Sequence, residues 1–272
     1  PRSFLPSRFL IRAPVVANLY YREDLPASAF AVGATVEIAG DEARHAVRVS
    51  RLRVGERILV GNGAGTLAEG VAERVDRDCF AVRVERAEEA PDPAPRLVLV
   101  QALAKGDRDE RAVEQATEFG VDLIIPWQAA RSVSRWDGDE KAAKGAAKWR
   151  RVAREASKQA LRSRVPAVTP PVSLDDICGF ARAGAEVLVL HPAGEEALSD
   201  YAPSPVGEGA APGDPLGGVL VVVGPEGGID DGELAALAAA GARVLRLGDT
   251  VLRTSSAGPA ALAVLNVALG RW

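Results

Sequence analysis

GVLVVVGPEGGIDDGELAALAAAGARVLRLG (218–248) decides the fold. It opens with an unbroken apolar run, GVLVVV (218–223), the pattern of a strand covered on both faces in a parallel sheet. Glycines at Gly224, Gly227 and Gly228 interrupt the run. Asp230 and Asp231 then cap a helix, DDGELAALAAAG (230–241), with Glu233 placed to complete a box-like cap and Gly241 as its stop. ARVLRLG (242–248) is a further strand. A strand, a crossover helix and a second strand make a βαβ unit, so the surrounding domain is α/β with a mostly parallel sheet.

Upstream of it the same texture continues. LVLVQAL (97–103), VDLIIPWQ (121–128) and EVLVLHP (186–192) read as buried strands, and DRDERAVEQATEFG (107–120) as a helix ending at Gly120. A long basic helix covers about Lys141–Leu161, and SAGPAALAVLNVALG (256–270) is the last helix. The Pro/Gly-rich stretch Ser199–Gly217 reads as a flexible excursion. Before Leu97 the chain changes character. EEAPDPAPR (88–96) is a proline-rich linker, and from Leu19 to about Ala87 short alternating runs are broken by glycines, as in ATVEIAG (34–40) and ERILVGNGAG (56–65). That pattern predicts a small β-barrel, with a helical turn or two at DEARHAVRVS (41–50). The expected organisation is a poorly ordered tail at 1–17, a barrel at 18–90 and an α/β domain at 91–272. The chain contains no methionine, which fits a trimmed or misassigned beginning.

Composition narrows the function. At 272 residues, 47% hydrophobic and 26% charged, the chain is ordinary for a globular protein. No apolar run is long enough for a membrane span, and residues 1–15 are a poor signal peptide, so a cytoplasmic protein without a membrane partner is expected. Cys79 and Cys178 are far apart in apolar surroundings and read as two buried thiols, with no disulfide and no metal site. The net charge of −4 conceals a strong polarity. Arg131–Arg164 holds eleven basic and four acidic residues, a net of +7, whereas Val165–Leu252 holds thirteen acids and three bases, a net of −10. One cationic face on an acidic protein suits a phosphate-bearing partner, although a solvated helix face gives the same count.

Parallel α/β sheets bind ligands beyond the carboxyl ends of their strands. Three strand ends here are specialised: Leu190-His191-Pro192, Gly224-Pro225-Glu226-Gly227-Gly228, and Leu247-Gly248 running on to Leu252-Arg253. Glycines let a backbone approach a ligand closely. Acids at the following helix start disfavour phosphate, and neither GxGxxG nor GxxxxGK[ST] occurs, so the site suits a ligand without phosphate.

VVVGPEGGIDDGELAAL (221–237) and RLGDTVLRTSSAGPAAL (246–262) resemble the C-terminal signature of SPOUT-class methyltransferases. HAVRVSRLRVGE (45–56), QALAKGDRDERAVEQATEFGVDLIIPWQAARSV (101–133) and KWRRVAREASKQALRSRVPAV (148–168) are similar to the remaining blocks of one member group, the ribosomal RNA small subunit methyltransferase E family. The resemblance runs from about Leu19 to the C-terminus. It implies a PUA-like β-barrel in front of a SPOUT-type parallel sheet with a C-terminal trefoil knot. It further implies S-adenosyl-L-methionine as cofactor, a homodimer with the cofactor pocket at the subunit interface, and methylation of N3 of a uridine in 16S rRNA of the small ribosomal subunit. Leu190, His191, Gly224, Glu226, Gly228, Leu247, Gly248 and Leu252 then line the cofactor, with Glu226 expected to hold its loop through backbone N–H groups.

Arg253, in the intact Leu252-Arg253-Thr254 signature, is the candidate catalytic cation, since a guanidinium stays charged and binds a carbonyl oxygen of a uridine anion in fixed geometry. A structural role in pinning the knot is the competing reading. Many members carry Glu after Arg-Thr, whereas this chain has Ser255, the second candidate catalytic residue, so no carboxylate base is assigned there. Either anion stabilisation suffices without a base, or Ser255 only hydrogen-bonds the base or cofactor. For RNA, Arg48 and Arg51 of the barrel and Arg131, Arg150, Arg151, Arg162 and Arg164 of the second domain are the expected phosphate contacts. Trp127, Trp136 and Trp149 are expected to pack rather than stack on RNA. The alternatives are a ribose 2′-O-methyltransferase of the same class and a catalytically silent RNA-binding assembly factor.

Overall fold

The computed structural model describes residues 18–203 and 217–272. The expected tail at 1–17 and most of the expected excursion lie outside the described residues. The chain divides between Ala90 and Pro91 into two compact units.

The first unit carries β1 (Leu19–Tyr21), β2 (Thr35–Ala39), α1 (Asp41–Arg48), β3 (Arg57–Gly61), β4 (Thr66–Val75) and β5 (Cys79–Glu89). The five strands order as β1-β3-β4-β5-β2, with β1 parallel to β3 and the other pairings antiparallel. The alternation in ATVEIAG is the cause: Val36 and Ile38 of β2 point inward while Thr35, Glu37 and Ala39 face out. Tyr20 and Phe80 meet edge to face at 5.1 Å in the core, and Ala43 and Ala46 seat α1 on it. Cys79 departs from expectation. As the first residue of β5 it is only half-buried, with its thiol donating to Asp76 at 3.4 Å, whereas Cys178 is buried as expected.

The second unit carries β6 (Arg96–Ala102), α2 (Arg108–Glu118), β7 (Leu123–Trp127), α3 (Asp139–Gln159), β8 (Ala167–Val168), α4 (Leu174–Arg182), β9 (Glu186–Leu190), β10 (Glu196–Ala197), β11 (Gly218–Val223), α5 (Asp231–Ala239), β12 (Arg243–Arg246) and α6 (Thr254–Ala268). Its seven strands order as β10-β12-β9-β11-β6-β7-β8, and every pairing is parallel. Strand alternation divides the apolar side chains into two layers. Leu97, Leu99, Val219 and Val221 pack against residues of α2, α3 and α6, among them Trp149, Leu262 and Leu265. Val98, Val100, Leu220 and Val222 pack against Ile177 of α4 and Leu237 of α5. Both faces are therefore covered, which is why the central strands read as continuous apolar runs.

The start of the expected excursion is ordered by packing: Leu198–Asp200 form a 3-10 turn, and Tyr201 is buried with its hydroxyl donating to Glu186 at 2.8 Å. Burial and that carboxylate together hold the Tyr201 phenol above its usual pKa. Trp127 and Trp149 are core side chains, and Trp136 lies edge-on to Trp149 at 5.2 Å, so all three pack as expected. Among the described residues no helix is long and apolar enough to cross a membrane, and no cluster of His, Cys, Asp and Glu could hold a metal.

Candidate active site

Strands β12, β9 and β11 are neighbours in a parallel sheet, so their carboxyl ends open on the same edge. There the chain makes three turns. After β9, Gly194 N–H donates to His191 O at 3.0 Å and His191 N–H to Leu245 O at 2.9 Å, locking this turn to β12. After β11, Gly228 N–H closes onto Pro225 O at 2.9 Å, with Gly228 at φ +74°, a conformation side chains disfavour. After β12, Leu247–Leu252 run out to the start of α6. The turns enclose one cavity of about 590 Å³, within the range of small-molecule sites. Leu190 and His191 line it from the first turn, Gly224, Glu226 and Gly228 from the second, and Leu247, Gly248, Leu252 and Arg253 from the third. Ser255 is half-buried on α6 and is not among the lining residues.

The second turn is held by a set of polar contacts. Asp230 and Glu233 form the capping box read from the sequence, and Glu233 also accepts from the Ala130 amide at 2.7 Å. Glu226 Oε1 accepts from the Lys105 amide at 3.0 Å and from Arg108 Nη1 at 2.7 Å. Burial works against the Glu226 carboxylate, but hydrogen bonds from its own amide, Arg108 and the Lys105 amide outweigh it and hold its pKa below the usual range. A depressed carboxyl contributes its stabilisation above the unfolded pKa and loses it as pH falls through the folded value. This tie therefore survives throughout neutral pH.

A second network was not read from the sequence. Thr254 Oγ1 donates to Gly224 O at 2.7 Å and accepts from Gln101 Nε2 at 2.9 Å. Gln101 is fully buried in β6, so a lone amide inside the apolar run LVLVQAL was the legible signal. This network fixes the first residue of α6, and with it Arg253, against the glycine turn. His191 Nδ1 accepts from the Ala193 amide at 3.2 Å, so a neutral His191 carries its proton on Nε2. It offers the cavity a donor rather than a base.

An RNA methyltransferase domain family matches residues 91–266, and an RNA methyltransferase PUA domain family matches residues 38–85. The ribosomal RNA small subunit methyltransferase E of Mycobacterium bovis is 42% identical over 262 residues, covering 95% of this chain and 94% of the relative. The chain belongs to the ribosomal RNA small subunit methyltransferase E family. The Bacillus subtilis member is 30% identical over 233 residues, covering 85% of this chain and 90% of the relative. Among solved structures, a chain from Legionella pneumophila assigned as a methyltransferase, in complex with the bound cofactor SAM, superposes with TM-score 0.77 at 28% identity, covering 93% of this chain and 98% of that one. The family is one of SPOUT-type RNA methyltransferases with a PUA domain ahead of the catalytic domain.

The basic residues expected to contact rRNA in this family member divide into outward and inward sets. Arg48 and Arg51 are exposed on the first unit, and Arg51 takes φ +54°. Arg150 and Arg151 are exposed on α3, with Arg150 Nε also donating to Val168 O at 3.0 Å, while Arg164 pairs with Asp92 at 3.0 Å. Arg131 lines the cavity but is tied to its loop: it donates to Ile229 O at 3.3 Å and Asp230 at 3.1 Å. Arg162 turns inward, with 14% of its side chain exposed, donating to Thr117 O at 2.7 Å and lying 3.8 Å from Asp122. Its charge neutralises Asp122 beside Arg271 and satisfies the carboxyl end of α2, so it corrects the expectation of an RNA contact. Arg162→Ala is therefore expected to lower stability by about 1–3 kcal/mol, because it removes a charged donor from the Thr117 carbonyl and the buried Asp122 carboxylate. The carbonyl then keeps the Gly120 amide, and the carboxylate the Leu97 amide with Arg271. Denaturant titration measures that loss, and the salt dependence of rRNA binding should stay as in the wild type.

Proposed function

We propose that this chain transfers the methyl group of S-adenosylmethionine to N3 of a uridine in 16S rRNA, giving 3-methyluridine, and that it acts as a cytoplasmic homodimer. In this reading residues 18–90 are a PUA-like RNA-binding domain. Residues 91–272 are the methyltransferase, whose segment beyond β12 threads a trefoil knot. The observation that carries it is the convergence of three strand-end turns on one cavity with Arg253 on its wall.

The cavity suits the cofactor. Backbone and apolar side chains supply most of the wall, and space is open beside Gly228 and Gly248, where no atom stands within 4 Å of an added Cβ. The Asp231 carboxylate at the start of α5 disfavours a phosphate ligand inside the cavity but not a methionine-bearing nucleoside. Leu190, Leu247 and Leu252 supply apolar contact, His191 a donor, and Gly224 and Gly228 close backbone approach. Bound there, S-adenosylmethionine supplies an electrophilic methyl group on a sulfonium.

Uracil N3 attacks only after losing its proton, and Arg253 is placed to stabilise the resulting charge. The residue is the N-cap of α6, so its carbonyl is fixed by Ser256 and Ala257 amides at 2.8 and 3.0 Å while its exposed side chain is left to the cavity. The positive end of α6 adds to the same field. Ser255, off the cavity wall, serves as a hydrogen-bonding support rather than a base. N3 is engaged in a Watson–Crick pair, so the target base leaves its stack to react. Exposed apolar side chains at Val251, Leu252 and Val267 suit the homodimer contact. Isothermal titration with S-adenosylmethionine tests the reading. Micromolar binding at one site per subunit is expected, and absence of binding contradicts it.

A further inference from the structure

We propose that Arg108 binds a phosphate of the rRNA strand beside the target nucleotide, with Glu226 holding the guanidinium in the receiving orientation. This rests on the proposed function and adds a substrate contact to it.

Three guanidiniums line the cavity, those of Arg108, Arg131 and Arg253. Arg131 is committed to the glycine turn through Ile229 O and Asp230. Arg253 stands at the α6 N-terminus, where the reacting base is placed. The side chain of Arg108, the first residue of α2, makes a single hydrogen bond among the described residues, from Nη1 to Glu226 Oε1 at 2.7 Å. Its Nε and Nη2 make no hydrogen bond among the described residues, and 46% of its side chain is exposed. The Nε/Nη2 edge is one of the guanidinium edges that pair in parallel with two anionic oxygens. The carboxylate occupies the other side of the group and leaves that edge open.

The arrangement does not depend on the ion pair for its own stability. A half-exposed pair of this kind contributes about 0–1 kcal/mol. Glu226 keeps a second donor, the Lys105 amide at 3.0 Å, so engagement of Arg108 elsewhere does not leave the carboxylate bare. What the pair supplies is orientation: Glu226 restrains a long side chain at the cavity rim and lowers the entropy lost on binding. Exposure sets Arg108 at the rim, where the strand passes once the base has entered, rather than at the floor where the cofactor lies. Lys105, exposed one turn away, extends the positive rim outward.

The test is the affinity of unmodified 16S rRNA for the protein without cofactor, measured by fluorescence anisotropy across a salt series, for wild type, Arg108→Ala and Arg108→Lys. Each phosphate neutralised contributes about 0.7–0.9 to the slope of log K against log salt. Arg108→Ala should lose about one such increment and weaken binding roughly tenfold at low salt. Arg108→Lys should keep the slope. The affinity for S-adenosylmethionine should be as in wild type for both. An unchanged slope in Arg108→Ala overturns the proposal, and a drop in cofactor affinity with the slope unchanged assigns Arg108 to the cofactor side of the cavity instead. Failure of wild-type protein to bind S-adenosylmethionine counts against the proposed function alone, because the salt series involves no cofactor.

Discussion

Arg253→Ala lowers kcat by about 10²–10³-fold, the effect of removing one donor that stabilises developing negative charge. Affinity for S-adenosylmethionine stays within about threefold, well under the tenfold that 1.4 kcal/mol represents. The separation follows from position. The Arg253 backbone is held by the first turn of α6, and its neighbour Thr254 is held by Gly224 O and Gln101, so truncating an exposed side chain leaves the turn that receives the cofactor intact. Arg253→Lys restores a charge but not the planar fork and should recover only part of the rate. Single-turnover kinetics with a separate binding titration distinguishes this role from a scaffolding one. Equal loss of turnover and cofactor binding would assign Arg253 to holding the fold.

Gly224→Ala has the opposite signature. A Cβ at this position stands 2.7 Å from Ile229 Cγ1 and 3.2 Å from the Ile229 amide nitrogen, so the glycine turn must open. Overpacking of this kind costs about 1–3 kcal/mol, and where the turn is the cofactor wall that cost appears as roughly a 10–100-fold loss of S-adenosylmethionine affinity. Turnover at saturating cofactor falls less. Gly179→Ala is the control: it lies in α4 with no atom within 4 Å of an added Cβ, and replacing a mid-helix glycine there should stabilise by about 0.5–1 kcal/mol without touching binding. Equal cofactor affinities for wild type and Gly224→Ala would remove the turn from the site.

The parts of this protein that are local in sequence were legible. The capping box at Asp230 and Glu233, the strand β11 and the stop at Gly241 depend on residues within a few positions of one another. So did the three strand-end turns, because a parallel sheet sends all its carboxyl ends to one edge. A similar signal at Ser173 and Asp176, which cap α4 reciprocally, is just as local and marks a helix that the sequence reading leaves out. What charge counting could not reveal was direction. Arg162 belongs to the basic segment by composition, yet its partners Thr117 and Asp122 lie in another part of the chain and draw it inward. Arg108 was missed for the converse reason: its contact with Glu226 spans more than a hundred residues and exists only once β6 and β11 pair. Cys79 shows the same limit on a smaller scale, since an apolar neighbourhood in sequence became a half-exposed strand end.

The atom that receives the methyl group defines the reaction. Unmodified small subunits incubated with this protein and isotopically labelled S-adenosylmethionine, digested to nucleosides and resolved by chromatography and mass spectrometry, should carry the label in 3-methyluridine. Label in a 2′-O-methylated nucleoside, or none despite cofactor binding, would contradict it.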